Sequence, residues 1–272
     1  MKSDKELLKA EEEIKRLLSE IEHALGHGLI ILVYNPLESG GEIIPGDSDK
    51  IFSFLYGLNI QQAVVIIDGP GGNFNEGIHI SNIFRNKLST YKTVVPLICG
   101  SSLCFTVLKS DMLILLKGGI ITQIDPCFEY NGKILRAIQH LKDNDPVIKD
   151  KAREILRYAE EQILKLIGEK PSLFKHKKHD FGSIEHENIV EGLMNRKEHC
   201  DEVESIAFQY IPFKVHFNDD KNLASLSKEL IKAIQNYLID TKRRFCLGCN
   251  YETEVFDGIT KSTRKGKLLF SP

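Results

Sequence analysis

VVIIDGPGGNFNEGIHISNIF (residues 64–84) and VVPLICGSSLCFTVLKSDMLILLKGGIITQIDP (residues 94–126) are the two stretches that decide the fold of this chain. In each stretch a short apolar run ends in a glycine-containing turn, and a segment with helical spacing follows. This alternation predicts parallel strands joined by right-handed helical crossovers. Because ligands bind beyond the carboxyl ends of the strands in such sheets, both turns are candidate site segments.

The same alternation extends along most of the chain. Buried strands are predicted where the sequence is short, apolar and β-branched, at residues 28–34, 63–67, 93–98 and 112–116. Helical spacing predicts helices at residues 3–25, 47–58, 75–88, 102–110, 133–168 (with a break at 143–146, where Asp145 and Pro146 start a new helix) and 186–193. After a polar boundary at residues 195–204 we expect a strand at 206–217, a helix at 222–238 and a hairpin within 245–267. These elements predict an α/β protein with an N-terminal amphipathic helix (1–26), a core domain (27–195) and a C-terminal α+β extension (196–272).

Composition limits the classes of function. Of the 272 residues 27% are charged, and the formal net charge is only −2, which argues against a nucleic-acid binder. No apolar segment reaches the roughly 18 residues that a membrane span needs, and the first twenty residues are charged throughout. We therefore expect a cytoplasmic protein that does not insert into a membrane.

The six cysteines are scattered, so we expect no disulfide framework. Cys246 and Cys249 form a C-x-x-C pair, which supplies two of the four ligands that structural zinc requires. The remaining candidates, His199 and Cys200, are adjacent and therefore poorly spaced for chelation. We interpret Cys246 and Cys249 as reduced structural cysteines, with zinc binding as the alternative and no metal in the predicted site.

The first turn, Asp68-Gly69-Pro70-Gly71-Gly72, suits an oxyanion. Paired glycines after a buried strand let backbone N–H groups face a ligand, and the helix that follows adds its positive end. The spacing does not match a dinucleotide fingerprint, and the lysine of a phosphate-binding P-loop is missing. The alternative is a plain strand-to-helix turn without a ligand.

The second turn contains Ser101, which ends a predicted strand and begins a predicted helix. Its hydroxyl and the Gly71 and Gly72 amides are expected to meet over one reacting carbonyl group. The alternative is that Ser101 or Ser102 merely caps the helix, as serines often do.

Residues 95–104 (VPLICGSSLC), with Asp111 and 124–126 (IDP), resemble the serine dehydrogenase proteinase family of the ClpP/SppA-like proteases. That family carries a Pro-Gly-Gly turn, a VPxxAMSxGT-like nucleophile segment and a GPIDPQ-like segment, and the spacing here matches without gaps from 95 to 126. Residues 179–180 resemble its Thr-His-Asp-Tyr-Pro segment. The resemblance covers roughly residues 30–193.

The resemblance implies a crotonase-like spiral of β-β-α units and hydrolysis of peptide bonds in peptide or protein substrates by a homo-oligomer, without a cofactor. It implies Ser101 as the nucleophile, and amides near Gly71 and Gly72, with Ser102, at the oxyanion. Leu103 and Cys104 stand where the family has glycine and threonine. The N-terminal helix is charged, whereas most relatives have a hydrophobic membrane segment there.

The group that deprotonates Ser101 has more than one candidate. ClpP-like enzymes use a histidine where this chain has Asp125, and SppA-like enzymes use a downstream lysine, for which Lys149 or Lys151 is suitably placed. His179, followed by Asp180, matches the resembled family better, and histidine suits proton transfer near neutral pH.

The competing interpretation of the whole protein is a catalytically inactive crotonase-like scaffold or peptide-binding protein. An acyl-CoA hydratase or isomerase would need pocket carboxylates and a CoA site that the sequence does not indicate.

Overall fold

The computed structural model describes residues 3–25, 28–36, 40–169, 193–194, 216–218, 221–249, 253–256, 261–264 and 267–271. Its α-helices are α1 (Asp4–Leu25), α2 (Asp47–Tyr56), α3 (Phe74–Lys87), α4 (Cys104–Leu108), α5 (Pro146–Glu169) and α6 (Lys221–Thr241). Short 3₁₀ helices cover Ser101–Leu103 and Ala137–His140. The strands are β1 (Leu29–Tyr34), β2 (Gln62–Asp68), β3 (Thr90–Val95), β4 (Ile98–Cys99), β5 (Met112–Leu116), β6 (Ile120–Ile121), β7 (Cys127–Tyr130), β8 (Lys133–Arg136), β9 (His216–Asn218), β10 (Phe245–Cys249), β11 (Thr253–Phe256), β12 (Lys261–Arg264) and β13 (Lys267–Ser271).

A seven-stranded sheet in the order β13-β10-β1-β2-β3-β5-β9 forms the centre of the protein. The strands from β1 to β9 in this order are parallel, and β10 and β13 are antiparallel additions beside β1. All six residues of β1 are buried, which explains why its sequence is wholly apolar. The α/β class predicted from the sequence is confirmed.

Helices cover both faces of this sheet. Side chains alternate along β1, so Ile30 and Leu32 join the core under α2 to α5, whereas Ile31 and Val33 join a second core under α1 and α6. The apolar stripe of α1 packs in that second core against α6. The amphipathic N-terminal helix is therefore an integral layer of the fold.

A second row of short paired segments runs beside the main sheet. β4 and β6 pair in parallel, and single bridges join Gly69 to Cys99 and Ile43 to Gly72. A long strand of the main sheet is therefore followed by a short extended segment of the second row and then by a helix. This is the β-β-α repeat that the resemblance implied, and the structure confirms it.

Two predicted segments take a different local form. Pro96 divides the strand expected at residues 93–98 into β3 and β4, because proline cannot donate to a ladder. The helix expected from residue 133 is wrong at its start, where β7 and β8 form a hairpin. Asn131 (φ 52°) and Gly132 (φ 73°) occupy its turn, and two left-handed residues there match the twist of the strands. The start of α5 after Asp145 is confirmed, because its Oδ1 accepts from the Val147 N–H at 2.9 Å.

The C-terminal region contributes to the main sheet. The hairpin predicted within residues 245–267 is present as the antiparallel pair of β11 and β12. The start of that segment differs from the prediction, because β10 pairs with β1 and β13 in the main sheet. The division of the chain into three parts stays a prediction. The helix predicted at residues 186–193 lies almost wholly outside the described residues, as does most of the strand predicted at 206–217.

Within the part of the chain that the structure describes, no helix combines the length and the apolar character that crossing a membrane requires.

A buried ion pair ties the C-terminal region to α2. Arg244 donates to both carboxylate oxygens of Asp47, at 2.9 and 2.5 Å, and Asp47 is 0% exposed.

Arg244→Met leaves that carboxylate buried without its main cation, so we expect unfolding free energy to fall by about 3–5 kcal/mol in urea denaturation. Arg153→Met removes a guanidinium from an exposed pair with Asp150 and should cost about 1 kcal/mol or less. Equal losses in the two variants would contradict an integral role for this region.

Candidate active site

The two glycine-bearing turns are joined by backbone hydrogen bonds. The Gly69 N–H donates to the Ile98 carbonyl, and the Gly100 N–H donates to the Gly69 carbonyl, each at 2.9 Å. Gly69 follows β2, and Ile98 and Gly100 belong to the segment after β3. The first turn therefore lies directly against the second at the carboxyl edge of the sheet.

Glycine is required where the turns touch. A Cβ atom at Gly71 (φ 90°) would lie 2.4 Å from the Gly100 carbonyl oxygen and 2.8 Å from Ser101 Cβ. A Cβ atom at Gly100 would lie 2.4 Å from the Pro70 carbonyl oxygen. Real Cβ atoms do not approach other atoms this closely, so side chains are excluded from both positions. Their absence brings the Gly71 backbone against Ser101.

Ser101 has a strained backbone. Its φ is 45°, and among the described residues only Asn131 and Lys242 share a positive φ without being glycine. The left-handed conformation costs about 1–2 kcal/mol for a residue with a Cβ atom. Such strain occurs preferentially at functional sites, and a sharp turn between strand and helix is how several hydrolases present a nucleophilic serine.

Neither serine acts as a helix cap. In the described part of the chain, no side-chain hydrogen bond caps the 3₁₀ helix that starts at Ser101 or the α4 helix that follows it. The Ser102 hydroxyl instead donates to the Gly72 carbonyl oxygen at 3.2 Å, which links the second turn to the first. The capping alternative is therefore wrong for both residues.

Backbone hydrogen bonds hold the first turn in place. The Ile43 N–H donates to the Gly71 carbonyl and the Asn73 N–H to the Ile43 carbonyl, both at 2.8 Å, which fixes the turn from one side. No carbonyl among the described residues accepts a hydrogen bond from the Gly71 or Gly72 N–H. The Ser101 N–H, by contrast, donates to Thr122 Oγ1 at 3.0 Å.

The residues that depart from the resembled family face inward. Leu103 is fully buried in the core under α2 to α5. Cys104 is buried as well, and its thiol donates to the carbonyl oxygens of Cys99 and Thr122 at 3.1 and 3.2 Å. These side chains pack behind the serine turn and help to fix it.

The candidate bases have different positions. His179 and Asp180 lie outside the described residues. Lys149 and Lys151 lie on α5, where the Lys151 ammonium donates to the Glu129 carbonyl oxygen at 2.9 Å, on the β7–β8 hairpin. Asp125 forms an ion pair with Arg136, with 2.5 Å between Oδ2 and Nε. The guanidinium therefore balances the negative charge of this carboxylate.

Sequence reasoning missed a buried carboxyl group at the base of the site. Asp68 ends β2 and is 0% exposed. Its Oδ2 accepts from the Ile98 N–H at 2.9 Å, and its Oδ1 accepts from the Gln235 amide of α6 at 3.0 Å. Burial raises the pKa of Asp68 from 3.8 to about 7, and the Ile98 hydrogen bond opposes that rise only in part. The carboxyl group therefore connects the first turn, the second turn and the α6 layer.

Gln123 is also buried, at 1% exposure, and neither end of its amide has a hydrogen-bond partner among the residues that the structure describes. It follows Thr122 in the chain. No sequence signal distinguishes this glutamine, because its unpaired state depends on its surroundings in the fold.

The C-x-x-C pair does not form a metal knuckle. Cys246 belongs to the core under α1 and α6, and Cys249 belongs to the core on the other face of the sheet. Burial raises the pKa of the Cys246 thiol, which keeps it protonated. The described residues contain no group of three or more histidine, cysteine or acidic side chains suited to a metal ion. The arrangement favours reduced structural cysteines over a zinc site.

No protein-family model and no curated protein matches the sequence. Among solved structures, a mutant of the 1510-N membrane-bound stomatin-specific protease is similar, with a TM-score of 0.44, 16% identity, and coverage of 75% of this chain and 83% of that chain. ClpP1 from Listeria monocytogenes has a TM-score of 0.44, 14% identity, and coverage of 71% and 94%. The ClpP protease catalytic domain from Plasmodium falciparum has a TM-score of 0.44, 17% identity, and coverage of 71% and 86%. At this level of similarity, the interpretation of the site depends on the geometry of this chain.

The pKa of Asp68 makes stability depend on pH. Because its folded pKa of about 7 exceeds its usual value of 3.8, the folded state binds more protons between these pH values. Unfolding free energy should therefore fall as pH rises from about 4 to 7, by up to about 1.4 kcal/mol per pH unit. In Asp68→Asn that contribution disappears, so urea denaturation should show the variant gaining stability relative to the wild type between pH 5 and pH 7.5. The exposed control Asp49→Asn should show no such gain, and a constant difference for Asp68→Asn would contradict the assignment.

Proposed function

We propose that the chain is a serine hydrolase that cleaves peptide bonds, with Ser101 as its nucleophile. The observation that carries the proposal is the strained Ser101 turn, at φ 45°, with the backbone of Gly71 packed against it. A turn that served only to connect a strand and a helix would have no need of a left-handed serine beside an N–H-bearing glycine pair. Ser101 is 8% exposed, which suits a hydroxyl that reacts in a largely desolvated site.

The glycine turn supplies the electrostatic part of the proposed mechanism. Ser101 Oγ attacks the carbonyl carbon of the substrate, and the carbonyl oxygen becomes negative. The N–H groups of Gly71 and Gly72, together with that of Ser102, are proposed to donate to this oxyanion. Collapse of the tetrahedral intermediate breaks the C–N bond, the amine leaves with a proton, and water then hydrolyses the acyl-serine.

Proton transfer is assigned to His179, with Asp180 as its neighbour. A serine hydroxyl needs an adjacent base, because its own pKa is far above neutral pH. Lys149 and Lys151 remain the alternatives, but the Lys151 ammonium already donates to the Glu129 carbonyl and would have to give up that bond. The proposal requires no cofactor, and a cytoplasmic homo-oligomer acting on peptides or proteins stays its expected biological form.

A fluorophosphonate probe, which phosphonylates activated serines, tests the proposal. We expect the wild type to be labelled, with mass spectrometry placing the adduct on Ser101, and Ser101→Ala to be unlabelled. Ser102→Ala is the matched control, because it removes the neighbouring hydroxyl, which is bonded to Gly72, and should still be labelled. His179→Ala should slow labelling and peptide cleavage by about 10²–10⁴-fold, whereas Lys149→Met and Lys151→Met should stay near the wild type.

Absence of labelling in the wild type, under conditions that label an established serine peptidase, would overturn the enzyme assignment. The non-catalytic scaffold or peptide-binding interpretation would then account better for the site. A large loss in a lysine variant together with a normal His179→Ala would replace the histidine base by that lysine.

A further inference from the structure

The strained conformation of Ser101 is held by a residue from a different part of the chain. Thr122 directly follows β6, twenty-one positions after Ser101, and its Oγ1 accepts the Ser101 N–H at 3.0 Å. Thr122 is 2% exposed and Ser101 is 8% exposed, so water competes little for this hydrogen bond. A buried N–H group that loses its acceptor raises the free energy of the folded state. The hydrogen bond to Thr122 therefore favours the conformation in which the Ser101 N–H points to this hydroxyl.

The backbone of Thr122 also forms hydrogen bonds with residues on either side of Ser101. Its own N–H donates to the Cys99 carbonyl at 3.0 Å, and its carbonyl accepts from the Cys104 thiol. The Oγ1 hydroxyl lies 3.4 Å from the Gln123 carbonyl oxygen, to which it donates. This contact directs the hydroxyl proton away from Ser101 and leaves a lone pair for the Ser101 N–H. The backbone and the side chain of Thr122 therefore hold the chain before, at and after Ser101.

This contact limits the choice of oxyanion donors. An N–H group that already donates to Thr122 is not available to a developing negative charge. Because the contact holds the Ser101 amide, it also limits rotation of the serine about its backbone and therefore the position of Oγ relative to the Gly71 N–H. A nucleophile must be held in a narrow range of positions for efficient attack.

We propose that Thr122 is a positioning residue that holds Ser101 in its reactive turn through the Oγ1 hydrogen bond. The inference rests on the proposed role of Ser101 as the nucleophile. It goes beyond the resemblance described above: residues 124–126 match the Ile-Asp-Pro of the GPIDPQ-like segment, so Thr122 stands at the position of that segment's glycine.

Thr122→Val keeps the side-chain shape and removes the acceptor, whereas Thr122→Ser keeps the acceptor. We expect the second-order rate constant of fluorophosphonate labelling to fall about 10- to 100-fold in Thr122→Val and to stay within about threefold of the wild type in Thr122→Ser. Thr93→Val is the matched control: Thr93 is 0% exposed, its hydroxyl contacts Ser110 at 3.0 Å, and the substitution is chemically the same. It should lower thermal stability without slowing labelling.

Hydrogen exchange of the Ser101 amide gives a second readout that does not need activity. It should become faster in Thr122→Val and stay slow in Thr122→Ser and Thr93→Val.

Labelling at the wild-type rate in Thr122→Val, or equal slowing of labelling in Thr122→Ser, would overturn the positioning role while leaving Ser101 as a nucleophile. If the wild type is not labelled at all, the proposed function fails and the reactive role of this turn fails with it. Faster Ser101 exchange in Thr122→Val would then identify the contact as structural.

Discussion

The close approach of two backbones is the constraint on which the rest of the site depends. The turn after β2 and the turn after β3 exchange hydrogen bonds through Gly69, Ile98 and Gly100, and no side chain separates them at Gly71 or Gly100. Each turn can be this close only because its strand is held at a fixed register in the parallel sheet. Packing of the sheet between two helical layers therefore determines the distance between a serine and a row of backbone N–H groups.

The position of these turns was predictable from the sequence. Short apolar runs that alternate with helical spacing specify buried parallel strands, and the carboxyl ends of such strands lie at one edge. Glycines immediately after two of the runs, with a serine at the second, were sufficient to mark the candidate site. The β-β-α repeat was implied by resemblance and is present in the pairing of β4 with β6 and of Gly69 with Cys99.

Other features depend on contacts that no local pattern contains. Asp68 and Gln235 are 167 positions apart, and their hydrogen bond arises only once α6 covers the sheet. The left-handed Ser101 has no sequence signature, because serine rarely adopts that conformation. The β7–β8 hairpin had a recognisable Asn131-Gly132 signal, but it lay at the start of a segment whose apolar spacing also suited a helix. The addition of β10 beside β1 depends on tertiary packing across almost the whole chain.

We propose that the two turns together form one oxyanion-binding serine site. The most direct measurement is a crystal structure of the protein after reaction with a fluorophosphonate, in which the phosphonyl oxygen mimics the oxyanion. We expect an adduct on Ser101 Oγ with that oxygen about 2.7–3.1 Å from the N–H groups of Gly71 or Gly72 and Ser102. A phosphonyl oxygen that points to solvent with no contact to these N–H groups, or an adduct on another residue, would contradict it.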